Sequence, residues 1–163
     1  HGIKVGGLIR PMSNPYFDHH YQKTLFIEGR SGPVFLRGPK GTLAFYKSLK
    51  KGATLVLLID IAVPDGPFIN FLGHPARTAL TAATFAVKSN ALFLPYFSTR
   101  NPDSISFSVE IGKPIKHSDP LTMTQKATKA LEKSIVKDPG NWFWIHRRWK
   151  YNANPSTGTD ANL

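Results

Sequence analysis

The residues best suited to chemistry in this 163-residue chain lie near its end, between Asp138 and Lys150. All three tryptophans occur in this stretch, which we call the tryptophan segment, together with a histidine and three basic residues. Indole rings beside guanidinium and ammonium groups suit a surface that is partly apolar and partly anionic, such as lipid headgroups or phosphates. The segment therefore predicts a binding surface for such a partner.

Two other interpretations of the tryptophan segment stay open on sequence alone. One is a C-terminal helix whose indoles fill the core, and the other is a nucleic-acid patch with stacking aromatics. Trp142 and Trp149 lie about two helical turns apart and would share one helical face, which fits the core interpretation. Phe143 and Trp144 cannot share that face, and this favours contact with lipid or another partner.

Two charged residues follow predicted strands. The apolar run from Ile3 to Ile9 predicts a strand that ends at Arg10. The continuous, partly β-branched run from Thr54 to Ile59 predicts a parallel strand buried on both faces, and Asp60 follows it. Ligands of open α/β sheets bind beyond the carboxyl ends of the strands, so Arg10 is a candidate phosphate or oxyanion contact and Asp60 could orient an arginine or a substrate hydroxyl. The alternative is a structural ion pair or a pair of strand-end caps.

The stretch from Phe71 to Ala76 leads into a predicted helix and has two interpretations. Gly73 and Pro75 favour a turn. Alternatively, Phe68 and Phe71 supply an apolar wall for an acyl chain. Sequence alone favours the turn.

Charge and composition limit the class of protein. The chain has 21 lysines and arginines against 10 acidic residues, a net charge of +11, which implies an anionic partner. It has no cysteine, and its six histidines form no metal-binding spacing. There is also no nucleophile elbow and no phosphate-binding loop, so we expect neither a metal nor another cofactor. No apolar stretch approaches the roughly 20 residues of a membrane-spanning helix.

Strands and helices are predicted in alternation, which indicates an α/β fold with a mostly parallel central sheet flanked by helices. We expect one partial domain over residues 1–150 and a disordered polar tail over residues 151–163. Further strands are predicted at Val34–Leu36, Ala91–Phe97 and Ser104–Ile111. Helices are predicted at Pro15–Glu28 with Asn14 as N-cap, at Gly41–Lys51, at Ala76–Lys88 and from Pro120 onward, where Met123, Ala127, Ala130, Leu131 and Ile135 mark the buried face.

Several of these stretches resemble, in order, the motifs of the bacterial lipid A acyltransferases, which belong to the lysophospholipid acyltransferase superfamily. The first, Arg10-Pro11-Met12-Ser13-Asn14-Pro15, is similar to the family's Arg-Pro-x-x-Asn-Pro signature. Other family-like positions follow along the chain: Arg30, Leu49-Lys50-Lys51-Gly52, Leu58-Ile59-Asp60, Phe71-Leu72-Gly73-His74-Pro75-Ala76, Pro95, Arg100 and Trp142 to Lys150. One departure is Ile61, where the family usually carries Gln or His.

The resemblance implies transfer of a fatty acyl chain from acyl carrier protein to a lipid A precursor at the cytoplasmic face of the inner membrane. The family's catalytic pair is a histidine followed, after four residues, by Asp or Glu, and no histidine of this sequence has that spacing. We therefore expect that the chain is the C-terminal part of a longer enzyme, with the catalytic pair and a membrane anchor upstream, and that it is inactive alone.

The resemblance also implies roles for individual residues. Six residues are expected to bind substrate: Arg10, Asn14, Arg30, Asp60, Phe71 and Gly73. Four residues are expected to face anionic inner-membrane lipid: Trp144, Arg147, Arg148 and Lys150. The alternative is a non-catalytic basic module that binds anionic membrane or nucleic acid, although with the resemblance we expect no nucleic acid. A glycerol-phospholipid acyltransferase is disfavoured, since only Glu28-Gly29-Arg30 faintly resembles the phosphate-binding motif of that class.

Overall fold

The structure of the chain is a computed structural model, and it describes residues 2–25 and 31–151. Arg30 and the predicted tail from Asn152 onward lie outside these residues. The described elements are, in chain order, β1 (Val5–Ile9), α1 (Pro15–Leu25), β2 (Val34–Leu36), α2 (Pro39–Lys50), β3 (Thr54–Val56), β4 (Phe68–Phe71), β5 (His74–Arg77), α3 (Thr81–Ser89), β6 (Tyr96–Arg100), β7 (Phe107–Ile111), α4 (Pro120–Lys137) and a short 3-10 helix (Pro139–Asn141).

The described residues fall into two compact units. We call the first the sheet unit, which runs up to Leu58 and also includes Ala82–Phe93. We call the second the tryptophan unit, which comprises Ile59–Thr81 and the described residues from Leu94 onward.

The sheet unit contains a three-stranded parallel sheet in the order β2-β1-β3. Its register places Ile9 beside Leu36, so β1 and β2 end at the same edge. The backbones approach closely at Gly6, where a β-carbon would overlap the carbonyl oxygen of Pro33.

Local sequence signals explain the helices of the sheet unit. The side-chain oxygen of Asn14 accepts hydrogen bonds from the backbone N–H groups of Tyr16 and Phe17 at 3.0 and 3.3 Å, so the predicted N-cap of α1 is confirmed. In α2, Phe45 is buried and its ring lies 5.9 Å from that of Phe35. These contacts fix the face that α2 turns toward the sheet.

The tryptophan unit is built on two antiparallel hairpins and α4. Leu72 and Gly73 form the two-residue turn between β4 and β5, and both have positive φ, 50° and 84°. The predicted turn is therefore confirmed. The side chain of Asp119 accepts a hydrogen bond from the backbone N–H of Thr122 at 2.9 Å and caps α4. The face of α4 that is buried contains Met123, Thr124, Ala127, Thr128 and Ile135.

The α/β class is observed, but among the described residues parallel pairing is confined to the three-stranded sheet, since β4–β5 and β6–β7 are antiparallel. The prediction of a helix from Ala76 is wrong in its start. Ala76 lies opposite Ile69 and Arg77 lies opposite Phe68 in the hairpin, and α3 begins only at Thr81. The alanine-rich pattern does not reveal this pairing, because it depends on a strand earlier in the chain.

Three strand predictions also change. β3 stops at Val56 and is not buried on both faces, since Thr54 is exposed. The predicted strand at Ala91–Phe97 shifts to Tyr96–Arg100, after Pro95, which has no N–H for a ladder. The strand predicted at Ser104–Ile111 begins only at Phe107, and this strand, β7, is exposed along its whole length. In the described ranges, no helix is both long and apolar enough to cross a bilayer.

Candidate functional site

Asp60 contacts the tryptophan segment directly. The indole Nε1–H of Trp142 donates a hydrogen bond to Oδ2 of the half-buried Asp60, 3.2 Å away. Two residues further along, the backbone N–H of Ala62 donates to Nε2 of His146 at 2.9 Å. Two hydrogen bonds, one at Asp60 and one at Ala62, thus join the chain after β3 to the tryptophan segment.

Arg148 lies inside the tryptophan unit. Its side chain is 1% exposed, and its Nη1 donates to the carbonyl oxygen of Arg77 at 2.6 Å. Its Nη2 donates to Oγ1 of Thr78 at 2.5 Å. Burial lowers the pKa of the Arg148 guanidinium, and the negative charge of Asp60 opposes that shift. Asp60 therefore balances part of a buried positive charge.

The aromatic core of the tryptophan unit surrounds Phe71, which is 1% exposed. The ring of Phe71 lies 5.4 Å from that of Trp142 and 5.6 Å from that of Trp149. The guanidinium of Arg148 lies 5.4 Å from the same ring, close enough for a cation–π contact. Core packing is thus the main role of two of the three tryptophans.

The backbone that carries these rings is not the helix on which the core interpretation was based. After the 3-10 helix, the tryptophan segment runs through turns to Tyr151. Asp138 ends α4, and Pro139 follows at once and cannot continue the helical hydrogen-bond pattern. Trp142 and Trp149 meet on Phe71 through tertiary packing and not through helical periodicity.

Two residues expected at the site are buried, and both assignments are corrected. Arg148 was expected to face lipid, but its guanidinium is enclosed and bonded to the end of β5, so it does not reach a headgroup. Phe71 was expected to line a substrate surface, but its ring is covered by Trp142 and Trp149. Its neighbour in the motif, Gly73, forms the hairpin turn.

The other residues expected at the site differ in their exposure and in their hydrogen bonds. Arg10 is exposed and follows β1 at the carboxyl edge of the parallel sheet. Asn14, expected to bind substrate, uses its side-chain oxygen to cap α1. Arg147 and Lys150 are exposed. Trp144 is 52% exposed, and its Nε1–H donates to the carbonyl oxygen of Pro139 at 2.8 Å.

Sequence reasoning missed several residues that build this region. The hydroxyl oxygen of Thr78 accepts a hydrogen bond from Arg148, 70 positions later in the chain, and no sequence motif identifies Thr78. A carboxylate oxygen of Glu132 accepts the backbone N–H of Leu72 in the hairpin turn at 2.7 Å. In the sheet unit, sequence reasoning also missed Arg37, which follows β2 as Arg10 follows β1. The backbone N–H of Arg37 donates to the carbonyl oxygen of Ile9 at 2.7 Å.

The arrangement in the tryptophan unit can position groups, but the buried guanidinium of Arg148 is not accessible to a reactant. The hydrogen bonds of Trp142 and Arg148 fix the backbone on either side of Phe143–Ile145. Exposed groups available to a ligand include Arg10 in the sheet unit and Trp144, Arg147 and Lys150 in the tryptophan unit.

Comparison with known proteins identifies similar sequences. The family described as bacterial lipid A biosynthesis acyltransferase has a sequence model that matches residues 4–151. A curated relative from Haemophilus influenzae (strain Rd), named lipid A biosynthesis acyltransferase, is 26% identical over 164 residues. The match covers 93% of this chain and 50% of the relative, so the chain spans about half the length of that relative. These similarities do not favour the alternative of a non-catalytic basic module.

Proposed function

This chain belongs to the bacterial lipid A biosynthesis acyltransferase family, and we propose that it supplies substrate-binding and membrane-facing parts of an enzyme that acylates a lipid A precursor. The observation that carries the proposal is the family match over residues 4–151, which contains Arg10, Asp60 and the tryptophan segment. The proposed donor is a fatty acyl chain on acyl carrier protein. The proposal assigns binding roles and names no general base in this chain.

Arg10 is the proposed contact for negative charge. In acyl transfer, a hydroxyl oxygen of the acceptor attacks the thioester carbonyl, and charge collects on the carbonyl oxygen before the thiol leaves. A guanidinium stabilises such an oxyanion, or a phosphate group of the acceptor, through paired N–H donors. The exposed position of Arg10 at the carboxyl edge of β1 supports this role, since ligands of α/β sheets bind at such edges.

Asp60 is proposed as a positioning residue. Its carboxylate accepts the indole N–H of Trp142 and offsets the buried charge of Arg148. Loss of Asp60 would loosen the tryptophan segment, because the same side chain satisfies a donor and balances a charge. The proposed partner of Asp60 is therefore the arginine inside its own unit.

The proposed location is the cytoplasmic face of the inner membrane. Trp144, Arg147 and Lys150 are the side chains that we assign to anionic lipid, since all three are exposed and follow one another on the tryptophan segment. Cations near an anionic leaflet are attracted to it by about 1 kcal/mol each. Arg148 is not part of this set.

The test is an acyl-transfer assay with the gene product that carries this sequence. Acyl carrier protein loaded with a fatty acid and a lipid A precursor are incubated with it, and the lipid is analysed by mass spectrometry. The proposal predicts addition of one acyl chain and release of the carrier thiol. Acylation of glycerol 3-phosphate but not of the lipid A precursor would overturn the proposed acceptor.

A further inference from the structure

Three consecutive large apolar residues of the tryptophan segment are exposed. Phe143 is 67% exposed, Trp144 is 52% exposed and Ile145 is 83% exposed. We call Phe143–Ile145 the apolar tip. Single exposed apolar side chains are common on proteins, but a contiguous group of this size marks a surface that binds something.

The apolar tip is held in place at both ends. Before it, Trp142 packs on Phe71 and donates to Asp60. After it, Arg148 is buried. Within the turn, the N–H of His146 donates to the carbonyl oxygen of Phe143 at 3.1 Å. Because the backbone is fixed on both sides, little conformational freedom is lost when the tip binds a partner.

The polar groups around the apolar tip indicate what kind of partner it meets. The Nε1–H of Trp144 is bonded to the carbonyl oxygen of Pro139, so its ring can enter an apolar layer without leaving that donor unpaired. Arg147 and Lys150 follow the tip and are exposed. Apolar side chains next to exposed cations match the interface of an anionic bilayer, where acyl chains lie below phosphates.

We infer that the apolar tip inserts into the interfacial layer of an anionic bilayer, with Phe143 and Ile145 as the inserted side chains and Arg147 and Lys150 on lipid phosphates. This deepens the proposed lipid-facing role of the segment, and it does not depend on acyl transfer. Burial of one large apolar side chain lowers the free energy of binding enough to strengthen vesicle affinity by about tenfold, and we expect this from each of the two residues.

The test measures co-sedimentation of the 163-residue chain with vesicles of phosphatidylethanolamine and phosphatidylglycerol. The variant Phe143→Ser with Ile145→Ser is expected to bind about a hundredfold more weakly. The matched control, Leu92→Ser with Ile105→Ser, removes two side chains that are 77% and 85% exposed elsewhere, and it is expected to bind like the wild type. Thermal melting of both variants shows whether folding is intact.

Quenching by lipids brominated on their acyl chains reports depth directly. Trp144 is expected to be quenched, whereas Trp142 and Trp149 are partly buried against Phe71. Trp144→Phe should therefore remove most of the quenching. Wild-type vesicle affinity of the tip variant, or weakening by Arg147→Gln with Lys150→Gln and not by the tip variant, would overturn insertion, since binding would then be purely electrostatic. If the wild-type protein did not bind vesicles but still acylated a detergent-solubilised substrate, insertion would be overturned and the proposed enzyme activity would stand. If it bound vesicles through the apolar tip but transferred no acyl chain, the proposed activity would be overturned and insertion would stand.

Discussion

The indole of Trp142 donates a hydrogen bond to the carboxylate of Asp60, 82 positions away, at 3.2 Å. Both residues belong to stretches that resemble family motifs, so this bond gives the two motifs a structural reason to occur together. It also places a negative charge near the buried guanidinium of Arg148. Asp60 thereby stabilises the tryptophan segment from within its own unit.

Substitution of Asp60 separates its two contributions. Asp60→Asn keeps an oxygen that can accept from Trp142 but removes the negative charge near Arg148, whereas Asp60→Ala removes both. We expect Asp60→Ala to lower the free energy of unfolding by about 1–3 kcal/mol and Asp60→Asn by less. Urea denaturation followed by tryptophan fluorescence measures this order. Equal stability of Asp60→Ala and the wild type would contradict the role assigned to the carboxylate.

The neighbouring arginines Arg147 and Arg148 are expected to behave in opposite ways. Arg148→Ala leaves the carbonyl of Arg77 and the hydroxyl of Thr78 without their donor and should cost about 3 kcal/mol or more. Arg148→Lys should also destabilise, because one ammonium cannot reproduce a planar fork. Arg147→Ala should change stability by less than about 0.5 kcal/mol. A chain that tolerates Arg148→Ala as well as Arg147→Ala would show that the buried guanidinium is not needed for folding.

Gly73→Ala tests the turn of the β4–β5 hairpin. Gly73 has φ +84°, a region that costs a residue with a β-carbon about 1–2 kcal/mol. Gly140→Ala is the control, since a β-carbon there would make only an ordinary contact with the Asp138 side chain at 3.7 Å. Thermal melting should show a lower midpoint for Gly73→Ala alone. An equal shift for both variants would mean that the positive φ is not the cause.

The cap of α4 predicts a pH dependence. The backbone N–H of Thr122 holds the pKa of Asp119 below its ordinary value of 3.8. A carboxyl with a lowered folded-state pKa contributes stability that is fully present above the unfolded-state pKa, near 3.8, and is lost as the pH falls through the lower folded-state value. Asp119→Asn can still accept from Thr122 but does not titrate. Its melting midpoint should therefore fall less steeply in acid than that of the wild type, and parallel profiles would contradict the assignment.

Features encoded by short stretches of sequence were predictable. The cap of α1 follows from Asn14 and Pro15, and the turn at Gly73 follows from its motif. The position of Arg148 was not predictable, because it is set by Thr78, and nothing local distinguishes it from Arg147. The hairpin of β4 and β5 was missed since alanine and arginine are good helix formers, and only pairing across the turn overrides that preference.

The most direct test of the account is the steady-state kinetics of acyl transfer by the gene product that carries this sequence, with Arg10 changed to Ala or Lys. If the Arg10 guanidinium stabilises an oxyanion or binds a phosphate, Arg10→Ala should lower kcat/KM by about a hundredfold or more, and Arg10→Lys should recover part of that loss. Lys47→Ala removes an exposed cation from α2 and serves as the control. A kcat/KM for Arg10→Ala equal to that of the control would contradict the assignment of Arg10 to the site.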